Sequence, residues 1–408
     1  MELSEFILQH ENDDTAALVL ARSRWPEVDA ALAAECIKAR RKLRDKVPEW
    51  YADPRIVCPS ALSAEQCSGT ATARFKAGVA AAAAGPHARI ADLTGGIGVD
   101  AWQFSSLAEE VLHNEMQPVL HEYAARNFAL LGCGNIRCSS LEITPENIAS
   151  VLASFSPTLV FMDPARRSEG RKVFRLQDCT PDVLTLKDAV LARCPLLLKL
   201  SPMADISLVC KELGNVRQVW AVQSGSECKE LLVLLEPGFE GEYTVTAANA
   251  WARGEEGTFS FCPSEERAAA LQTAGASVMS GLRGRLLFEP GPALMKAAPF
   301  RLLCSRFGLR SLGSDCHYYV ADSSARGLDP LGKWFRIEEA AEFGKKSLRD
   351  FASRYPDASL TARALPLSSE ELRKSMRLRD GGSTHIFALG TAAGRLLIAA
   401  SRYSPDLR

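Results

Sequence analysis

The chain of 408 residues lacks long apolar runs. Residues 77–85 form one of the longest, well short of the roughly 18 residues that a membrane-spanning helix needs. The N-terminus lacks a basic segment followed by an apolar one, because residues 1–5 are acidic instead. We therefore expect neither a signal peptide nor a membrane association. Internal repeats and low-complexity tracts are also missing.

Close pairs of cysteines are missing too, although the chain has 12 cysteines. No Cys-x-x-Cys occurs, and only six histidines are available as partners. A zinc site would show close paired spacings, and a secreted disulfide framework would be short and dense in cysteine. We therefore expect free, mostly buried thiols in a reducing compartment, a cytoplasmic location and no metal.

The composition is that of a globular protein, with 47% hydrophobic and 24% charged residues. This balance argues against a disordered chain, a collagen or a coiled-coil rod. The length favours two to four domains at about 100–200 residues each. The net charge of −1 conceals an asymmetry, since residues 300–408 contain 18 Lys and Arg against 12 Asp and Glu. A basic C-terminal third is compatible with binding a polyanion such as RNA.

Patterning along the chain predicts four parts. Residues 1–85 show helical spacing of apolar positions, and residues 86–240 alternate short β-rich runs with helix-length segments. Such alternation predicts βαβ units and a parallel sheet. Because no helix fits between the last two runs, the seventh strand is expected to be antiparallel. The fold class is thus α/β, a Rossmann-like seven-stranded sheet, followed by small α+β domains at 241–331 and 332–408.

Within the last part, the pattern predicts alternating strands and helices that end in a strand pair. Ile337–Tyr355 is expected to be helical, and Ser368–Arg377 a helix with a capping box. Asp380-Gly381-Gly382 is expected to form a turn before the final strand pair.

The densest chemical signal is Asp92-Leu93-Thr94-Gly95-Gly96-Ile97-Gly98-Val99-Asp100. A hydrophobic strand leads into a glycine-rich turn that opens a helix, and glycines let a backbone approach a ligand closely. The spacing is not that of the dinucleotide fingerprint, and Asp92 would repel a pyrophosphate. An acid there suits a ligand with a cationic amine, such as an amino-acid moiety. The alternative is a tight turn without a ligand.

Two further strand ends carry acids. Glu115 follows the second strand about 20 residues after Gly96, where nucleoside-binding sheets place the acid that accepts ribose hydroxyls. Asp163-Pro164 follows the fourth strand, where Asp and Pro could also simply begin a helix. The cations that follow, among them Arg166, Arg167 and Arg171, favour a substrate loop that faces phosphates over a solvated basic loop.

These motifs resemble those of the class I S-adenosylmethionine-dependent methyltransferases. Three stretches resemble more closely a bacterial group typical of Bacteroidetes that carries a C-terminal THUMP-like domain: Leu62–Ser68, Thr72–Lys76 and Ser226–Leu232. Leu365–Asp380 matches that THUMP-like domain, and Phe288–Lys296 resembles the ferredoxin-like piece before it. The resemblance covers essentially the whole chain. It implies S-adenosylmethionine as the cofactor and structured RNA as the expected partner.

Carried over by position, the resemblance implies a role for each site residue. The turn Thr94, Gly95, Gly96, Gly98 and Asp100 would pass around the cofactor, Asp92 would lie near its methionine amine and Glu115 would hold its ribose. Met116 and Leu141 would border the adenine. Asp163 and Pro164 occupy the place of the (Asp/Asn)-Pro-Pro-aromatic motif, with Asp163 as the candidate base and Lys199 following strand five beside it.

The sequence departs from that motif, because Ala165 replaces the second proline and Arg166 replaces the aromatic residue. Methylation of a base amine is therefore in doubt. We expect a methyltransferase acting on ribosomal or transfer RNA. The rival is a catalytically silent RNA-binding or assembly factor with the cofactor fold, which the missing aromatic residue favours. An NAD-dependent oxidoreductase is disfavoured by the glycine spacing and by Asp92.

Overall fold

The chain divides into two compact units. The first combines Met1–Val219 with Lys229–Gly241, and the second combines Trp220–Cys228 with Glu242–Arg408. The computed structural model describes residues 2–166, 175–251, 257–275 and 281–404. Within these ranges no helix combines the length and apolar character needed to cross a membrane. The four-part division expected from the sequence stays a prediction.

The N-terminal part of the first unit is helical. Its helices are α1 (Leu3–Gln9), α2 (Thr15–Leu20), α3 (Ala30–Lys46), α4 (Pro48–Ala52), α5 (Ala61–Gln66) and α6 (Thr70–Ala84). Helix α3 begins where the Asp29 carboxylate accepts the N–H groups of Ala31 and Leu32, both at 3.0 Å. Trp50 of α4 is fully buried and shares a hydrophobic cluster with Val99. These helices therefore contribute to the core that supports the sheet.

The central sheet follows. Its strands and the short pair beside them are β1 (Arg89–Asp92), β2 (Glu110–Asn114), β3 (Ile136–Ser139), β4 (Leu159–Met162), β5 (Ala165–Arg166), β6 (Cys179–Thr180), β7 (Leu196–Leu200), β8 (Val216–Ser224) and β9 (Glu227–Leu235). The intervening helices are α7 (Val99–Ser105), α8 (Pro118–Leu130), α9 (Ile148–Phe155), α10 (Val183–Leu191) and α11 (Ile206–Leu213).

Seven strands of this sheet lie in the order β8-β9-β7-β4-β1-β2-β3. Strands β1, β2, β3, β4 and β7 pair in parallel, and β9 pairs antiparallel with β7. Two residues join β8 to its neighbour β9, so these strands form the expected hairpin. The seven-stranded α/β sheet with an antiparallel last strand is confirmed. Because the other strands are parallel, the carboxyl ends of β1, β2, β4 and β7 meet at one edge.

In the second unit β10 (Thr244–Asn249) pairs antiparallel with β11 (Thr258–Phe261), and a separate seven-stranded sheet follows. The strands of that sheet are β12 (Leu286–Pro290), β13 (Arg310–Ser311), β14 (Tyr319–Ala321), β15 (Gly332–Glu342), β16 (Asp357–Arg363), β17 (Arg379–Thr391) and β18 (Gly394–Tyr403). Its order is β13-β14-β12-β15-β18-β17-β16. The helices are α12 (Pro263–Ala268), α13 (Pro292–Ala297), α14 (Phe300–Phe307), α15 (Lys345–Arg354) and α16 (Ser369–Met376).

Two expectations for the C-terminal part are wrong in detail. Ile337–Tyr355 is not one helix, because β15 extends to Glu342 and α15 begins only at Lys345. Pairing of residues 339–342 with β18 overrides the helical propensity of this Glu- and Ala-rich segment. Asp380-Gly381-Gly382 lies inside β17 at a register shift rather than in a turn. The capping box between Ser368 and Glu371 is present.

Candidate functional site

The turn after β1 ties the ends of two strands together. Asp92 is buried at the end of β1, and its Oδ1 accepts the Thr94 N–H at 3.0 Å. The Thr94 hydroxyl oxygen accepts the backbone N–H of Asp163 at 2.6 Å. The expected site residues of β1 and β4 are thus held beside each other by direct hydrogen bonds.

Neighbouring side chains leave no space for a Cβ at two glycines of this turn, Gly95 and Gly98. A Cβ on Gly95 would lie 2.1 Å from the His113 ring, and a Cβ on Gly98 would lie 2.4 Å from the Phe128 ring. Gly98 also has a φ of 93°, which favours glycine. The Gly95 N–H donates to the Asn114 carbonyl oxygen at 2.8 Å, so the loop lies directly against β2.

Glu115 holds the same turn from the end of β2. Its Oε2 accepts the Gly96 N–H at 2.8 Å, and its Oε1 accepts the Gln117 N–H at 2.8 Å. An ionised carboxylate offers about four acceptor positions, so two remain for further donors such as ribose hydroxyls. Met116 and Leu141, expected beside an adenine, are 50% and 45% exposed. Both therefore offer apolar surface that a ligand could cover.

Sequence reasoning missed two residues that organise this side. Asn114 accepts the Leu141 N–H at 3.0 Å and donates to the Leu141 carbonyl at 2.9 Å, which fixes that loop beside Glu115. His113 is fully buried, and burial lowers its pKa to about 3, so the ring is neutral. Both residues directly precede Glu115, but nothing in the local pattern distinguishes them from ordinary strand residues.

Several carboxyl groups lie close together at the end of β1. Burial raises the pKa of the Asp92 carboxyl well above its usual range. The neighbouring carboxyl groups of Asp100, Asp163 and Glu115 raise it further. A ligand that brings positive charge would favour the ionised form of Asp92. The site therefore fits a cationic amino-acid moiety, as the sequence predicts, and a sulfonium.

The opposite wall carries an ion pair. Lys199, at the end of β7, donates to Asp163 Oδ2 at 2.5 Å, and the two side chains are 17% and 34% exposed. Pro164 is buried, whereas Ala165 is exposed. No helix begins at Asp163, because Ala165–Arg166 pairs with Cys179–Thr180 as a short strand.

The basic segment that the sequence predicts to be a substrate loop lies mostly outside the described residues. Arg167 and Arg171 are not within the described ranges, and only the backbone of Arg166 is described. Their proposed phosphate contacts stay predictions. Within the described ranges no group of three or more His, Cys, Asp or Glu residues could hold a metal ion.

A buried cluster lies behind the ion pair. Asp100 contacts Lys76 Nζ at 3.3 Å and accepts the Ser68 hydroxyl at 2.9 Å. Lys76 is fully buried and donates to both carboxylate oxygens of Glu230 at 2.9 Å. From the sequence, Asp100 was expected to contact the cofactor, and no role was expected for Lys76 or Glu230. The sequence did contain a hint of their importance, because Lys76 lies in Thr72–Lys76 and Glu230 lies in Ser226–Leu232, two of the stretches that resemble the Bacteroidetes group.

Comparisons with known proteins cover both units. A THUMP domain-like family model matches residues 332–402, and a ferredoxin-like domain model matches residues 286–326. An uncharacterised S-adenosylmethionine-dependent methyltransferase of Mycobacterium tuberculosis is 25% identical over 322 residues, which are 75% of this chain and 78% of that protein. The crystal structure of a proposed methyltransferase from Porphyromonas gingivalis W83 has a TM-score of 0.85 at 27% identity and covers 98% of each chain. The resemblance stated from the sequence is confirmed.

Proposed function

We propose that this chain, an S-adenosylmethionine-dependent methyltransferase with a C-terminal THUMP-like domain, methylates a nucleotide of structured ribosomal or transfer RNA. The cofactor, when bound, supplies an activated methyl group on a sulfonium. Catalysis by the protein then consists mainly of positioning an acceptor in line with that group. Such chemistry requires no metal.

The cofactor side of the proposal uses the crevice at the ends of β1 and β2. Asp92 would face the methionine amine, and the two remaining acceptor positions of Glu115 would take the ribose hydroxyls. The turn through Gly95 and Gly98 would pass around the ligand, with Thr94, Gly96 and Asp100 alongside. This assignment is supported by the carboxyl groups that lie close together at the end of β1 and by the acceptor positions that Glu115 retains.

The acceptor side uses the end of β4. Asp163 would bind the proton of the acceptor, and Pro164 would fix the chain direction after it. Lys199 contacts the same carboxylate, which places a cation at this edge. In the proposal the cations Arg166, Arg167 and Arg171 would contact phosphates of the substrate.

The RNA partner is supported chiefly by the THUMP domain-like match to residues 332–402. THUMP domains are RNA-binding modules, and exposed cations in this match suit such a role. Lys345, Lys346 and Arg349 on α15 are exposed, and they form no ion pair with other residues in the described part of the chain. Unpaired exposed cations on one helix can neutralise phosphates.

A salt titration tests this assignment. A triple variant with glutamine at Lys345, Lys346 and Arg349 should bind RNA more weakly. The slope of log K against log salt concentration should become shallower by about 2–3, because each lost phosphate contact removes about 0.7–0.9 from that slope. Replacing the exposed Arg22 and Arg24 in the helical region is the control and should leave the slope unchanged. An unchanged slope in the triple variant would show that α15 does not contact the RNA.

A transfer assay tests the activity itself. The purified full chain is incubated with radiolabelled S-adenosylmethionine and with RNA from cells that lack the gene. We expect label in the RNA. If calorimetry shows that the chain binds S-adenosylmethionine but no RNA becomes labelled, the result would instead support the silent RNA-binding factor. If calorimetry detects no heat of binding for S-adenosylmethionine, the proposed cofactor site would be excluded.

A further inference from the structure

The ion pair of Asp163 and Lys199 offers opposite hydrogen-bonding groups to one acceptor. Asp163 follows β4 and Lys199 ends β7, and these strands are neighbours in the sheet. The carboxylate is one-third exposed, and Lys199 Nζ lies 2.5 Å from its Oδ2. An ammonium has three N–H donors, so Lys199 retains donors beyond the one that Asp163 accepts.

The buried cluster favours the charged form of Lys199. Burial lowers the pKa of Lys199, but the negative charges of Asp163, Glu230 and Asp100 together raise it above its usual value. Glu230 and Asp100 are themselves neutralised in part by Lys76. Two other groups face this position more weakly, Lys46 and Cys67. The site therefore presents a fixed cation and a fixed carboxylate next to each other.

Different acceptors make different demands on such a pair. An exocyclic amine presents N–H donors, so it would find an acceptor in Asp163 but another donor in Lys199. A base would also need a stacking surface, and the exposed residue after Pro164 is the small Ala165. A hydroxyl is both donor and acceptor, so it can donate to Asp163 and accept from Lys199 at the same time.

We propose that the acceptor is a ribose 2′-hydroxyl of the RNA, held between Asp163 and Lys199. This proposal rests on the proposed function and names the substrate group of the same site. The 2′-hydroxyl is the hydroxyl that internal nucleotides of RNA expose, and it acts as both donor and acceptor. Recognition through the ribose requires no flipped and stacked base.

The transfer step balances with these two residues. The 2′-oxygen forms a C–O bond to the methyl carbon as the C–S bond breaks, and the electron pair of that bond stays on sulfur. The sulfonium thereby becomes a neutral thioether. The hydroxyl proton passes to the Asp163 carboxylate and then to solvent, which its partial exposure allows. Lys199 keeps its proton and orients the oxygen.

Alkaline hydrolysis of labelled RNA distinguishes the outcomes. A methylated 2′-oxygen cannot attack the adjacent phosphate, so the label should appear in alkali-resistant dinucleotides. Label in mononucleotides would show base methylation; it would overturn this proposal and leave the RNA methyltransferase intact. No label in RNA, or label in protein instead, would overturn the proposed function and this proposal with it.

A pair of lysine variants tests the residues. Lys199→Met should lower kcat by about 100-fold or more, the usual range for a lost acid–base or orienting group, and should change cofactor affinity less than threefold. Lys187 is the matched control, since it is also 17% exposed and contacts an aspartate, Asp188, at 2.6 Å. Lys187→Met should keep its kcat within twofold. An equal loss in both variants, or full activity of Lys199→Met, would exclude the assignment.

Discussion

The strongest stability prediction concerns Lys76, the buried lysine that contacts Glu230 and Asp100. Lys76 has no exposed surface, and its ammonium donates to both oxygens of Glu230 at 2.9 Å and to the Ser68 hydroxyl at 2.8 Å. Lys76→Met keeps most of the side-chain volume and removes the charge. Glu230 and Asp100 then remain buried without their principal cation.

The expected cost follows from that burial. Removing one partner of a buried ion pair costs about 3–5 kcal/mol of unfolding free energy, because the other buried charge loses its principal counter-charge. For a unit of this size each kcal/mol lowers Tm by roughly 2–4 °C, so a fall of about 10 °C is expected at pH 7. Urea denaturation followed by far-UV circular dichroism measures the difference.

The pH dependence gives a second readout. Burial raises the pKa of Glu230, and the charge of Lys76 opposes that rise. Without Lys76 the pKa of Glu230 rises further in the folded state. A carboxyl with a raised folded pKa loses stability as pH rises through that pKa, so the deficit of Lys76→Met should shrink as pH falls.

The control is an exposed lysine of the same unit. Lys38 pairs with Glu35 at 2.9 Å on α3, and both side chains are nearly half exposed. Lys38→Met should cost less than about 1 kcal/mol, as exposed pairs do. A Lys76→Met variant that unfolds within 1 kcal/mol of the parent at pH 7, or whose deficit is constant with pH, would refute the reasoning.

Three further predictions concern the site. Asp92→Asn should abolish the binding of S-adenosylmethionine measured by calorimetry. The same variant should have a higher Tm at pH 8, because burial raises the pKa of Asp92 and ionisation of this carboxyl in the folded state costs stability as pH rises. A lower Tm would contradict this reasoning. Gly95→Ala should lower stability by about 1–3 kcal/mol in urea, because its Cβ would overlap the His113 ring; His113→Ala in the same chain should restore part of it. Glu230→Gln should move the alkaline limb of the kcat–pH profile to lower pH, because the Glu230 carboxylate raises the pKa of Lys199 and its removal lowers that pKa; an unmoved limb would assign Glu230 a purely structural role.

Much of the cofactor side could be predicted from local pattern. Asp92, Glu115 and Asp163 each follow a short apolar run, and parallel strands place such residues at one edge. The structure brings them together through two hydrogen bonds, one between Gly96 and Glu115 and one between Thr94 and Asp163. Each of these acids can be recognised from the few residues around its own strand end, so the sequence reveals them even when the order of the strands is not known.

The C-terminal sheet shows where local pattern fails. Residues 338–342 are rich in Glu and Ala and favour a helix on propensity alone. Trp334 and Phe335 pair with both β12 and β18, and the pairing with β18 continues through Glu342. Gly381 and Gly382 have positive φ values within β17, where the register shifts against β16. Both features depend on strands distant in sequence.

The acceptor side depends on long-range contacts most of all. Lys76 and Glu230 are 154 residues apart, one on α6 before the first strand and one on the last strand of the sheet. Their charges were visible only as members of two separate stretches. Because α6 supplies the cation that pairs with Glu230 and Asp100, the helices before residue 85 influence the charges at the carboxyl edge of the sheet. The change of sequence pattern at residue 85 therefore marks a change of secondary structure and does not separate two independent parts. The buried network of Lys76, Asp100 and Glu230 includes residues from before and after that point, so the proposed acceptor chemistry depends on both segments.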